Sequence, residues 1–378
     1  MKKTKKAVSK ESYLILVLAI LTFTYLSSQV GSLGLLFKII MATAHELLID
    51  TVFMILAISV LAGGFAALLS EFGVIHLLNQ IISPLIKPLY NLPGAAALGI
   101  ITTYLSDNPA IISLAKDEAF TDFFEDYQLP ALTNLGTSFG MGLVVSAYMM
   151  SLAPDGEFIK PVLMGNFGAF IGSLVSVRLM LHFTKKELPP KEGREVKASL
   201  ISQQREIRDG NVLQRFLESV LDGGMSGVEV GISIIPGVLT ICTTVMILTF
   251  GPAGANGEFL GAAFEGIGLL PKLGEAFSFI LKPFFGFSSP EAVAFPITSL
   301  GSVGAAMGLS STLLKEGLIG PTDIAVFTAM GMTWSGYLST HIAMMDALGH
   351  RNLTNKALLS HTIGGLTAGI FAHLIMSI

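Results

Sequence analysis

The stretch SPLIKPLYNLPGAAALGIITTYLSDNP (residues 83–109) has a counterpart 195 positions later, SFILKPFFGFSSPEAVAFPITSLGSVG (residues 278–304). The same displacement aligns residues 73–150 with 268–345 without a gap, and fifteen of the 78 pairs are identical. Chance gives about one match in fourteen positions for this composition, against about one in five here. Two copies of one apolar unit are typical of transporters built from structural repeats. The identical pairs include Gly73/Gly268, Ser83/Ser278, Lys87/Lys282, Pro88/Pro283, Thr103/Thr298 and Gly136/Gly331.

The composition places the chain in a membrane. It is 52% hydrophobic and 13% charged, with a mean hydropathy of +0.69, whereas soluble domains are about 25% charged. The single cysteine, Cys242, lies in an apolar run and excludes an internal disulfide or a CxxC metal site. We therefore expect an all-α polytopic membrane protein whose main partner is the lipid bilayer.

Seven apolar segments have about the twenty residues needed to cross the hydrocarbon region. The first follows a lysine-rich N-terminus and has no small-residue cleavage site, so we expect an uncleaved helix in the plasma (inner) membrane with a cytoplasmic N-terminus. The predicted spans are Tyr13–Gln29, Leu48–Leu69, Leu129–Leu152, Phe158–Phe183, Val228–Phe250, Gly320–Met345 and Lys356–Met376.

Two further stretches, 72–91 and 259–287, mix apolar and charged residues and predict amphipathic helices at the membrane surface. A charged linker follows the first repeat. These features divide the chain into four parts. They are the N-terminus with the first helix (1–46), repeat 1 (47–183), a cytoplasmic charged linker with an amphipathic segment (184–227), and repeat 2 (228–378).

The apolar stretches Pro93–Lys116 and Ser288–Leu313 are long enough to span but are interrupted near the middle. If each spans, the basic linker falls outside. If each is a re-entrant hairpin, the linker is cytoplasmic, as the positive-inside rule favours. The second arrangement makes the two halves an inverted repeat.

The interruption of the first hairpin is Ser106-Asp107-Asn108-Pro109, where Asn and Pro predict the start of a new half-helix near the midplane. The displacement places Gly301-Ser302-Val303-Gly304 at the second tip, after Thr298 and Ser299. Two such tips offer unpaired backbone groups and short polar side chains to a solute or ion. Alternatively, Asp107 and Asn108 only cap a helix at the membrane surface.

The helices after each hairpin carry polar stripes. Asn134, Thr137 and Ser138 share one face, while Thr333, Thr340 and His341, with Trp334 beside them, form the matching stripe. Glu291, at the start of the second hairpin, is a further candidate or a helix N-terminal acid. Together with the tip residues these are the predicted substrate- or ion-binding positions, although small and hydroxyl residues also pack membrane helices together.

Catalytic and cofactor motifs are missing from the sequence. His341 and His350 do not match a zinc spacing, and no phosphate-binding glycine loop follows a strand, so we expect no metal, no cofactor, no nucleic-acid partner and no enzymatic activity.

The order of amphipathic helix, Lys87-Pro88, Leu92-Pro93-Gly94 and polar-tipped hairpin, repeated from Lys282-Pro283 to Gly304, resembles the nucleoside-recognition (gate) domain family. That family is related to concentrative nucleoside transporters and to ethanolamine permease-type transporters. The resemblance implies a transporter fold over most of residues 47–378. The Asn-Glu-Phe motif of concentrative nucleoside transporters is absent, and Glu291 is only its loose counterpart.

The sequence thus predicts a secondary transporter of a small polar solute (nucleoside-like, an amine or an amino-alcohol), coupled to Na⁺ or H⁺. Few basic residues lie at membrane depth, which favours a neutral or cationic solute. The alternatives are a non-transporting scaffold or signalling subunit and a passive channel. A homo-oligomer is compatible with all three.

Overall fold

The computed structural model describes residues 6–188 and 207–378, and these ranges contain helices and loops without a β-strand. Five helices in these ranges are long and apolar enough to cross a membrane, which confirms the all-α polytopic prediction. They are Lys10–Val30, Leu33–Glu71, Ile159–Glu187, Val212–Thr249 and Arg351–Met376. Residues 189–206 of the charged linker lie outside the described residues. The helix Val212–Thr249 runs across residue 228, where we placed the start of repeat 2.

Leu33–Glu71 and Val212–Thr249 pack closely along one another. Glycines allow this approach, because a Cβ on Gly223 would lie 2.3 Å from the carbonyl oxygen of Gly63, and one on Gly227 would lie 2.2 Å from that of Ser59. Each helix also contains a π-helical turn, at Leu47–Val52 and Val238–Cys242. Such turns interrupt the regular ladder and are frequent at functional sites.

Each half contains a helical hairpin that follows amphipathic structure. In the first half, Val74–Tyr90 is a single helix, as predicted, and the hairpin comprises Ala96–Leu105 and Pro109–Lys116. We call this the first hairpin. The second hairpin comprises Ala294–Ser299 and Val303–Lys315.

The prediction of an amphipathic helix over 259–287 is wrong at its N-terminal end. Helix starts only at Leu269 and is interrupted at Phe277, giving Leu269–Ala276 and Ser278–Phe285. Residues 250–268 instead form a loop, because the buried carboxylate of Glu265 accepts backbone N–H bonds that a helix would use internally. The four donors are Ala253, Leu260, Gly261 and Ala262, at 2.7–3.0 Å. Burial raises the pKa of Glu265, but these hydrogen bonds outweigh it and hold the pKa below its ordinary value.

Two predicted continuous spans are discontinuous in the structure. Leu129–Leu152 consists of Ala131–Thr137 and Gly142–Ser151, which we call the first broken helix. Gly320–Met345 consists of Pro321–Thr333 and Tyr337–Ala347, the second broken helix. Each resumes after a residue in the left-handed region, Met141 with φ +53° and Gly336 with φ +63°, and no helix can continue through that conformation.

The 195-residue displacement also relates backbone conformations. Three pairs of positions adopt the left-handed region in both halves, although only the first pair is identical in sequence: Gly73/Gly268, Asn91/Gly286 and Met141/Gly336. The register continues further, since the helices Ile159–Glu187 and Thr354–Met376 begin at equivalent residues. These two helices pack together through Gly168, Gly172 and Gly364 and so join the halves.

Candidate functional site

The tips of both hairpins and the breaks of both broken helices converge on one cavity of ≈ 430 Å³. The helix Val212–Thr249 closes one side. The lining residues are Asp107, Asn108, Ile112, Met141, Ser233, Ile234, Gly237, Gly301, Ser302, Val303, Gly304, Ser335, Gly336, Ser339, Thr340 and Ala343. Asp107 is the one charged side chain among these lining residues, and hydroxyl groups supply most of the remaining polarity.

Asn108 connects the first hairpin to the breaks of both broken helices. Its Nδ2 donates to the carbonyl oxygen of Ser335 at 3.1 Å and to the Ser335 hydroxyl at 3.2 Å. Glycine makes room on both sides, because a Cβ on Gly140 would lie 2.4 Å from Asn108 Oδ1 and one on Gly336 would lie 2.5 Å from Nδ2. Only 4% of Asn108 is exposed, and its Oδ1 has no hydrogen-bond partner among the described residues. A buried acceptor of this kind is costly unless a ligand satisfies it.

The neighbouring tip residues are more locally engaged. One carboxylate oxygen of Asp107 accepts the backbone N–H of Asn108 at 2.6 Å. This contact lies immediately before the helix Pro109–Lys116. At the second tip, Ser302 Oγ accepts the N–H of Ala305 at 3.3 Å as a helix N-cap. Gly237 lets the long helix approach this hydroxyl closely.

Three carbonyl groups at the second break have hydrogen-bond donors. His361 Nε2 donates to the oxygen of Thr333 at 2.6 Å, Tyr337 N donates to that of Trp334 at 3.0 Å, and Asn108 donates to that of Ser335. Because backbone polar groups in a membrane need internal partners, these contacts let the helix stay broken.

Of the predicted site residues, the structure brings four together around the cavity: Asp107, Asn108, Ser302 and Thr340. Ser106 lines a separate cavity of ≈ 200 Å³ between the first hairpin and the crossing of Leu33–Glu71 with Val212–Thr249. Glu291 lies in the 3₁₀ turn Pro290–Val293, ahead of the second hairpin and outside the cavity lining.

The other predicted residues are buried in helix contacts rather than in the cavity wall. Asn134 Nδ2 donates to Ser176 Oγ at 2.9 Å and to the carbonyl oxygen of Ala357 at 3.1 Å. Five hydroxyls donate to carbonyls three or four residues earlier in the chain, and Trp334 Nε1 donates to the oxygen of His361. The five are those of Thr137, Ser138, Thr298, Ser299 and Thr333. His341 is fully buried behind the cavity.

Sequence reasoning missed the residues that the breaks and the long helix contribute, chiefly Met141, Ser233, Gly237, Ser335 and Gly336. A signal was present for the breaks. Glycines cluster around both of them, at Gly136 and Gly140 and at Gly331 and Gly336, and we interpreted Gly136, Gly140 and Gly331 as packing residues.

Comparison with solved structures identifies a known fold. The chain shares the fold of CNTnw, a concentrative nucleoside transporter. An inward-facing, substrate-bound CNTnw structure matches with a TM-score of 0.54 and 14% identity over 97% of this chain and 87% of that one. An outward-facing structure of a doubly substituted CNTnw variant matches with a TM-score of 0.56 and 14% identity, over 98% and 88%. An intermediate state also matches, with a TM-score of 0.52 and 14% identity over 97% and 88%. No family model and no curated protein sequence matches the chain.

Proposed function

We propose that this protein is a secondary transporter that binds a small polar solute in the cavity between the hairpin tips. The observation that carries the proposal is the convergence of both tips and both helix breaks on that cavity. A structural scaffold has no use for a wall of hydroxyls with a buried, unpartnered amide oxygen, whereas a polar ligand would satisfy it. The fold shared with CNTnw supports the same function.

The proposed repeats are inverted, with each hairpin re-entering the membrane from the opposite side. In that arrangement both tips reach the midplane, and the cavity can open alternately to either surface. We place the N-terminus in the cytoplasm and the protein in the plasma (inner) membrane, on the basis of its basic N-terminal residues.

The wall chemistry favours a neutral or cationic solute, such as a nucleoside, an amine or an amino-alcohol. Asp107 is the charged group of the wall, and hydroxyls of Ser233, Ser339 and Thr340 can donate and accept hydrogen bonds. A Na⁺ or H⁺ gradient drives the proposed uptake, and Asp107 with Asn108 Oδ1 supplies oxygen ligands suited to a hard cation.

A ligand screen tests this proposal. Purified protein is heated with and without uridine, ethanolamine or an amino acid, in NaCl and in KCl, and unfolding is followed. A solute that binds the folded state at about 100 times its Kd stabilises it by about 2.7 kcal/mol and raises the unfolding temperature.

The matched variants are Asp107→Asn and Glu291→Gln. Each removes one acidic side chain, and only that of Asp107 lines the cavity. We expect Asp107→Asn to remove the ligand-dependent shift or its Na⁺ dependence, while Glu291→Gln retains both. A scaffold would give no shift with any solute. A passive channel would give flux in vesicles that ignores the ion gradients.

A further inference from the structure

Two histidines meet directly behind the second helix break, between the broken helix and Thr354–Met376. The imidazole rings of His341 and His361 lie 4.7 Å apart between centroids, and both residues are fully buried. We infer that this pair is the site at which a proton binds to drive transport, so that the coupling ion is H⁺. The coupling rests on the proposed function, whereas the protonation of the pair can be tested without it.

The hydrogen-bond partners define the tautomers. His361 Nε2 lies 2.6 Å from the carbonyl oxygen of Thr333, which only accepts, so Nε2 carries the proton. His361 Nδ1 then accepts from Ser176 Oγ at 3.0 Å, and Ser176 in turn accepts from Asn134 Nδ2. His361 is thus fully partnered as a neutral ring.

His341 is not fully partnered. Its Nδ1 donates to the carbonyl oxygen of Tyr337, which leaves Nε2 with a lone pair and no partner among the described residues. An unpartnered nitrogen in a fully buried ring is costly. Asn134 Oδ1, on a helix packed against that of His341, is a buried acceptor that also has no partner in the described part of the chain. The cluster therefore contains one unpaired nitrogen and one unpaired oxygen, and a proton on His341 Nε2 would turn that nitrogen into a donor.

The first half of the chain provides an internal comparison. The displacement of 195 residues relates His341 to Ser146 and His361 to Asn166. Asn166 Nδ2 donates to Ser146 Oγ at 2.9 Å, and Tyr104 donates to Asn166 Oδ1 at 3.0 Å, so that pair is neutral and satisfied. Packing at this place in the fold therefore requires only a small polar pair. The second half has two titratable rings there instead.

Few other ionisable groups face His341. Tyr337, on its own helix, contacts the ring at 5.9 Å between centroids. Ala131–Thr137 contributes amide and hydroxyl side chains, and Pro109–Lys116 ends in the exposed Lys116. Of the remaining nearby charges, Asp346 pairs with Arg351 and Lys356 pairs with Glu187. Only one ring of the pair can carry a charge at a time, because two cations this close repel.

The pair is positioned to act on the cavity. His361 holds the last carbonyl before the break, at Thr333, and His341 holds the first helical carbonyl after it, at Tyr337. Between these two residues lie Ser335 and Gly336, which line the cavity. A proton that enters from one side of the membrane and binds the pair would add a positive charge and an N–H donor next to these cavity residues. Its release to the other side would remove both.

The sole tryptophan of the chain, Trp334, gives a readout that needs no solute. It is buried, and its Nε1 donates to the backbone oxygen of His361. A protonated imidazole quenches indole fluorescence. We expect the Trp334 emission of purified protein to fall reversibly as the pH is lowered from about 8.5 to about 3.5, a range that extends below ordinary histidine protonation because burial disfavours a charged ring. The double variant His341→Ser with His361→Asn copies the pair of the first half and should abolish this change, while His350→Gln, outside the pair, should keep it. Emission independent of pH in the native protein, or the same change in the double variant, overturns the inference.

Transport in proteoliposomes tests the coupling. Uridine and ethanolamine serve as probes, in two assays: exchange between equal pools, and uptake driven by an inward pH gradient. One pH unit can support about tenfold accumulation per proton. The double variant should lose the pH-driven accumulation, so that whatever exchange it retains ignores the pH gradient. Accumulation that follows Na⁺ and ignores pH would overturn the proton assignment. Absence of exchange in the native protein for every solute tested would instead count against the proposed function, with the fluorescence result still deciding whether the pair binds a proton.

Discussion

At the scale of single residues, Asn108 and Gly336 determine whether the cavity can form. Asn108 reaches from the first hairpin into the second break, and its side chain fits only because Gly336 has no Cβ. The left-handed backbone at Gly336 is a second reason for glycine there, since other residues adopt that conformation at a cost. The two reasons can be separated by experiment.

We predict that Gly336→Ala destabilises the protein more than Gly349→Ala does. Both glycines have positive φ, +63° and +73°, but a Cβ at Gly349 meets nothing within 4 Å, whereas one at Gly336 would lie 2.3 Å from Thr340 Oγ1. The backbone cost is about 1–2 kcal/mol in each case. Overlap adds about 1–3 kcal/mol at Gly336. Thermal unfolding in one detergent measures both, and equal shifts would mean that the space around Gly336 is not restrictive. Solute binding should be lost in Gly336→Ala alone, because Asn108 must move.

At the scale of elements, hydropathy predicted where apolar helices lie but not where they break. A window of apolar residues has the same mean hydropathy whether its helix is continuous or interrupted. Met141 carries no sequence sign of its left-handed conformation, and Gly336 resembles any packing glycine. The first hairpin was predictable because Asn108-Pro109 is a helix-start signal. That signal identified Asp107 and Asn108, the repeat identified Ser302 and the polar stripe identified Thr340, whereas the residues contributed by the breaks were not found from sequence.

The two halves also make equivalent contacts that sequence identity does not reveal. Asp323 accepts the N–H of Gly320 at 2.9 Å and that of Ser288 at 3.1 Å, which ties the start of the second broken helix to the segment before the second hairpin. In the first half, Gln128, 195 positions earlier, accepts the N–H of Glu125 and donates to the oxygen of Asn91. Different side chains therefore make the same connection, which sequence matching alone misses.

We predict that Gly223→Ala weakens the crossing of Leu33–Glu71 and Val212–Thr249, whereas its neighbour Gly224→Ala does not. A Cβ at Gly223 would lie 2.3 Å from the oxygen of Gly63, but one at Gly224 has no neighbour closer than 3.5 Å. Overpacking should cost about 1–3 kcal/mol at Gly223. Gly224→Ala should be neutral or gain up to about 1 kcal/mol of helix propensity. Thermal unfolding of the two variants decides the matter, and similar unfolding temperatures would argue against a tight crossing.

At the scale of the whole molecule, the orientation of the two halves determines whether the cavity can open to both sides. The loops around Asp155 and Arg351 are equivalent in the repeat, since each precedes one of the helices Ile159–Glu187 and Thr354–Met376. If the repeats are inverted, these loops lie on opposite sides of the membrane. If they are parallel, the loops lie on the same side.

Cysteine labelling tests this orientation. Cys242 is buried and is replaced by Ala to give a background without thiols. We predict that a cysteine at Arg351 labels only from the cytoplasm and one at Asp155 only from outside. A cysteine at Lys197, which lies outside the described residues, should label from the same side as one at Arg351. Labelling of Asp155 and Arg351 from one side would exclude an inverted repeat, and with it the proposed hairpin topology.

Alternating access requires the two tips to change their relation during transport. Asn108 and Ser302 line the same cavity from different hairpins, so cysteines at these positions in the Cys242→Ala background should form a cross-link. The cross-link should stop exchange of solute. Reduction of the cross-link should restore the exchange that the double-cysteine protein shows before cross-linking. Single-cysteine variants control for the loss of each side chain. A solute that binds one arrangement more tightly must also change the cross-linking rate, because only differential affinity shifts the populations of two states. A static channel predicts flux that survives the cross-link, and a scaffold predicts a rate that no solute alters. If no cross-link forms under any condition, the tips do not meet, and the solute site must lie elsewhere in the molecule.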